Sequence, residues 1–125
     1  MNDELLREVQ RWRRFALEDL QEAERQIQRT GTVLRHPAWL AQQAAEKTLK
    51  AILIYLQVEF PFTHNLNVLH DRIPDDWRVK QVTANLARLS EYAVDARYPG
   101  NWPDLSPDDA RAAVHCPPYR RYRAG

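Results

Sequence analysis

Four polar side chains in the middle of this chain have the types and spacing to hold a phosphate. Gln43, Glu46, Lys47 and Lys50 stand at i, i+3, i+4 and i+7, so on a helix they share one face. Lys47 and Lys50 can neutralise phosphate oxygens there, and Gln43 can hydrogen-bond the edge of a base. Glu46 and Lys50 also form an i,i+4 pair in the favourable order. Periodicity alone therefore favours a plainer reading, a solvated face with a surface ion pair of about 0.3–0.5 kcal/mol. His64, just after Pro61-Phe62-Thr63, is a second candidate. A neutral imidazole can cap a helix or accept a proton, and a charged one can contact phosphate. Its structural alternative is to tie down a turn between two helices. No other His, Cys or acidic residue stands at ligand spacing beside it, so no metal site is expected.

Arg97 is the sharpest single candidate. It continues the stripe Val82, Leu86, Leu89, Ala93 by one more step of four, so a guanidinium follows an apolar seam. An unpaired buried guanidinium is costly, so Arg97 must find a carboxylate, carbonyl groups, a subunit boundary or a ligand phosphate. Asp95 and Asp104 are near enough in sequence to serve. Tyr98-Pro99-Gly100 and Trp102-Pro103 follow, and their rings can lie beside a base or cover the end of a bundle. Nucleophilic catalysis has no support: there is no Gly-rich phosphate loop, no nucleophile elbow and no Cys–His arrangement.

The elements that must position these residues are helical. Leu5, Val9, Trp12, Ala16, Leu20, Ala23 and Ile27 make one stripe of an amphipathic helix ending near Gly31, which suits a left-handed C′ position. Pro37 starts a second helix, running from about residue 37 to 56. Its latter half, AILIYL, is apolar on nearly every side, which marks it as the central helix. Pro61 breaks it, and Thr63 or Asn65 caps a short third helix through Leu69. Asp75 or Asp76 then caps a fourth with the stripe Val79, Val82, Leu86, Leu89, Ala93, ended by Pro99-Gly100. Ser106-Pro107-Asp108-Asp109 reads as a helix start with Asp in the capping-box slot. The fifth helix is short, about 107 to 115, because Pro117-Pro118 cannot extend it. That can leave part of the bundle for a partner or second subunit to cover. No stretch alternates as a strand does, so the fold class is all-α: an up-and-down bundle of four to five helices.

The bulk composition agrees. At 125 residues, 44% hydrophobic and 28% charged, the chain suits one globular domain. A formal net charge of +1 gives no global drive toward nucleic acid or membranes. One cysteine, Cys116, excludes an internal disulfide and fits a reducing cytoplasm. No apolar run is long enough to cross a bilayer, and the N-terminus lacks the apolar core of a secretory signal. The tail Tyr119-Arg120-Arg121-Tyr122-Arg123 interleaves basic and aromatic residues, a pattern shared by weak RNA binders and frayed termini.

Four of these pieces occur together in one order: the long first helix with Trp12, the QQAAEKTLKA helix (residues 42–51), the FPFTHNL turn (60–66) and ARYPG (96–100). In this order the chain resembles the HEPN domain family. It looks closest to the short stand-alone members whose usual partner is a separate minimal nucleotidyltransferase in toxin–antitoxin-like systems. The resemblance implies a HEPN-like bundle over residues 1–116 with a flexible tail at 117–125. It also implies a homodimer, a cleft able to hold a nucleotide, and a complex with the transferase. Ribonuclease members carry Arg-x4-6-His, which acts without metal. The resemblance implies His as general acid–base and Arg on the phosphate charge. Here the residues five to seven after Arg97 are Trp102, Pro103 and Asp104. Arg29 and His36 meet the spacing but sit between the first two helices. Arg111 and His115 stand one residue too close.

The expectation is thus a nucleotide-binding and partner-binding module rather than an enzyme. Its nucleotide or phosphate candidates are Gln43, Lys47, Lys50, His64, Arg97 and Tyr98, and it needs no cofactor. The alternatives are a metal-independent ribonuclease toxin, using Arg97 or Arg111 with His64 or His115, and a structural adaptor without a ligand.

Overall fold

The computed structural model describes residues 2–29, 31, 33–81, 86–95 and 105–115. Arg97 and Tyr98 lie outside them, as do Val82, Asp104, Cys116 and the tail. Among the described residues there are five α-helices: α1 (Asp3–Ile27), α2 (Arg35–Tyr55), α3 (Leu66–Asp71), α4 (Leu86–Asp95) and α5 (Pro107–Val114). A 3-10 turn, Arg78–Gln81, stands before α4. No strand occurs among the described residues, so the all-α expectation holds.

α2 is the centre. It packs against α1, α3, α4 and α5, and only α1–α5 and α3–α4 make further substantial contacts. Trp12 and Asp19 of α1 meet Lys50 and Lys47 of α2 respectively, so the two long helices run antiparallel. Leu49 and Leu53 of α2, Leu66 and Leu69 of α3 and Val114 of α5 are fully buried. Leu89 and Tyr92 of α4 close the core. At the start of α3, the Leu66 N–H donates to Ser90 Oγ of α4 at 2.9 Å. Arg88 of α4 reaches Asp109 of α5 at 3.5 Å.

The helix ends separate sound expectations from misplaced ones. Asn65, one of the two candidate caps, accepts from Asn67 N–H and caps α3. Thr63 instead accepts from Asn65 N–H. Ser106 and Asp109 form the full reciprocal capping box on α5. α1, however, ends at Ile27 with Gln28 as its C-cap, well before Gly31. Gly31 takes its left-handed φ of +80° in the connection to α2. α2 starts two residues before Pro37: His36 N–H bonds Val33 O, and the donor Pro37 lacks falls in the first turn, where no helical acceptor is needed.

Nor does Pro61 end α2. The helix stops at Tyr55, with Val58 N–H on Leu53 O and Gln57 N–H on Ile54 O, while Gln57 is left-handed at φ +57°. This is the Schellman arrangement, and it satisfies the last carbonyls before the proline is reached. Val79, expected in the fourth helix, is buried within the 3-10 turn. There Lys80 N–H bonds Trp77 O, and Lys80 Nζ reaches back to His70 O. These local partners hold residues 78–81 in a separate turn, and α4 is described from Leu86.

Two substitutions test these left-handed positions by urea unfolding. Gln57→Gly should raise stability by about 0.5–1 kcal/mol, because an L side chain is strained there. Gly31→Ala should lower it by about 1 kcal/mol through the backbone alone, since an added Cβ would meet nothing within 4 Å.

Candidate functional site

The Schellman reversal at Gln57 sends the chain back along α2, so that Phe60, Phe62 and His64 pass Lys50 and Glu46 in turn. Gln42, Glu46 and Lys50, four residues apart, form the stripe of α2 that meets this returning segment. They are only 0%, 4% and 6% exposed. Such burial is tolerable only if every polar atom has a partner.

Glu46 is the hub. Its Oε1 accepts from His64 Nδ1 at 2.7 Å and from Gln42 Nε2 at 3.2 Å, and its Oε2 accepts from Lys50 Nζ at 3.0 Å. An ionised carboxylate only accepts, so the His64 proton facing it sits on Nδ1. Gln42 Nε2 also donates to the His64 carbonyl at 3.2 Å, while its Oε1 accepts from Gln43 Nε2 at 2.6 Å. Lys50 Nζ lies 5.8 Å from the ring centroids of Trp12 and Phe62 and 6.0 Å from that of Phe60. Burial pushes the Glu46 carboxyl up. The hydrogen bonds from His64 and Lys50, the charge of Lys50 and the bond from Gln42 outweigh it and hold the group below its ordinary value.

This corrects the expectation of one solvated polar face. Gln43, Lys50 and His64 are gathered around Gln42 and Glu46, but Lys47 turns to α1 and pairs with Asp19. Both amino groups expected to hold phosphate are therefore neutralised by carboxylates of the same chain. His64 takes the turn-fastening role, through its ring and its carbonyl. The sequence reading missed Gln42 and the three rings. The i,i+4,i+8 spacing of Gln42, Glu46 and Lys50 was the available signal. Of the histidine–arginine pairs, Arg111 is bonded to Asp108 at 3.0 Å and exposed. Arg29 stands 3.9 Å from Glu22.

A second feature lies on the other side of α2. Ala44, Thr48, Ala51 and Tyr55 face away from Gln42, Glu46 and Lys50 by roughly half a turn. With Leu6, Val9, Ala16, Leu17 and Leu20 of α1 they line a groove of about 620 Å3.

Removing the hub should be severe. Glu46→Ala leaves Lys50 buried without its carboxylate, and a loss of about 3–5 kcal/mol is expected in urea unfolding. The pH dependence has a definite sign. Because the folded carboxyl sits below its usual 4.5, the unfolded chain takes up this proton first as pH falls. The stabilisation from Glu46 is complete above that value and disappears as pH drops through the lowered one. Glu46→Gln should flatten this part of a stability-against-pH curve.

Among known proteins, no curated sequence and no solved structure matches this chain. The family model for the HEPN domain matches residues 9–117, a span that takes in all of α2 to α5 and most of α1. With the helical bundle in place around α2, the chain belongs to the HEPN domain family.

Proposed function

We propose that this HEPN protein is a protein-binding module that acts with a separate minimal nucleotidyltransferase in a toxin–antitoxin-like pair. The observation that carries the reading is the contrast between the two sides of α2. On one side, Lys47 and Lys50 are committed to Asp19 and Glu46, and a nucleotide phosphate would have to displace a carboxylate to reach them. On the other, an open apolar groove offers surface to a protein. The homodimer implied by the family resemblance belongs to the same proposal.

A second reading, nucleotide binding at the mouth of the Glu46 cluster, is favoured by one observation. Phe62 is 94% exposed, and its ring stands edge-on to His64 with centroids 5.9 Å apart. A base could stack on that ring; the sequence candidates Arg97 and Tyr98 belong to this reading. Ribonuclease action draws no support from the described residues, where Arg111 is bonded to Asp108 and His64 to Glu46.

The test is co-expression with a minimal nucleotidyltransferase, followed by gel filtration with light scattering and titration with ATP, with and without magnesium. The expected result is a stable complex and no ATP binding by the isolated chain. ATP binding that Phe62→Ala abolishes would transfer the conclusion to the second reading. RNA cleavage in excess chelator would overturn both.

A further inference from the structure

We infer that the groove between α1 and α2 receives an amphipathic helix with acidic flanks from a partner protein. The inference rests on the protein-binding reading above and names the chemistry of what binds.

The groove has the dimensions of a helix seat. Its α1 wall runs from Leu6 to Leu20, a length of about 21 Å or about four helical turns. Small residues, Ala16 on α1 and Ala44, Thr48 and Ala51 on α2, are part of its lining. They allow a third helix to approach to an interaxial distance of about 8–10 Å. Leu6, Leu17 and Tyr55 are left partly or largely exposed along it, as anchors awaiting an apolar face.

The charge selects the occupant. The charged residues among those lining the groove are Arg13 and Arg14, both exposed. Arg13 and Arg14 place two cations side by side at the middle of the α1 wall. A helix carrying Glu or Asp on its flanks complements this rim. A second copy of the chain does not. A two-fold axis at the middle of the Leu6–Leu20 wall falls at Arg13 and sets Arg13 and Arg14 against their own images.

The probe is a fluorescein-labelled, helix-forming peptide of about 18 residues, with Leu and Ala on one face and Glu on the flanks. Its control carries Lys in place of Glu. By fluorescence anisotropy on the full chain, the Glu peptide should bind and the Lys peptide should not, and added salt should weaken binding. Arg13→Glu with Arg14→Glu should weaken it about tenfold, and Arg13→Lys with Arg14→Lys should retain it. Leu17→Asp should weaken it as well.

Equal binding of the two peptides, or none of the Glu peptide, would overturn the inference. So would light scattering that shows a dimer converted to monomer by Leu17→Asp, since the groove then belongs to a second copy. The two proposals fail separately. A nucleotidyltransferase complex that survives the double arginine reversal overturns the groove while the module reading stands. Capture of the Glu peptide by a chain that binds no nucleotidyltransferase supports the groove and overturns that choice of partner.

Discussion

The rest of this structure turns on one buried carboxylate. Glu46 sits on the central helix, and an ionised group at that depth is stable only with its lone pairs filled. Its three donors come from two places in the chain, Gln42 and Lys50 from α2 and His64 from the segment that follows it. Satisfying the carboxylate therefore fixes where residues 58–65 must lie. That segment in turn delivers Asn65 to cap α3. The reversal at Gln57 and the packing of α3 on α2 are thus parts of one requirement. Buried ion pairs are poor sources of net stability, but they specify register well, because a shifted register leaves a charge unpaired.

The same constraint distributes chemistry around α2. Lys50 is a cation by composition, yet Glu46 and three aromatic rings absorb its charge. Lys47, three residues earlier, is drawn to Asp19 by the antiparallel docking of α1. On its far side α2 lines a groove with small residues, buried Ala44 and Ala51 and partly exposed Thr48, beside Leu17 and Leu20 of α1. A helix whose sequence reads as a polar binding face thus has Gln42, Glu46 and Lys50 turned inward, with a groove on its other side.

Much of the fold was legible. The stripes in residues 5–27 and 37–56 gave α1 and α2. The apolar AILIYL run marked α2 as central, and Ser106 to Asp109 gave the start of α5 with its box. These signals are local, since a cap or a stripe is decided by residues within a turn or two. Gly31 and Pro61 read in sequence as terminators, yet α1 and α2 end earlier. A terminator limits a helix without fixing its end, and the carbonyls of α2 found their partners at Gln57 and Val58 first.

The site was legible only as a set of residues. The sequence by itself determined that Gln43, Glu46, Lys47, Lys50 and His64 belong to a helix and the turn after it, and that the chain resembles the HEPN family. Residue types and their angular positions on a helix are enough for that. Only the tertiary structure decided which of them meet, that Lys47 turns to α1, and that Trp12, Phe60 and Phe62 surround Lys50. The physical reason is that an i,i+4 Glu–Lys pair has the same spacing whether water or a folded segment covers it. The covering groups lie about 10 to 40 residues away along the chain, and no local rule encodes contacts at that separation.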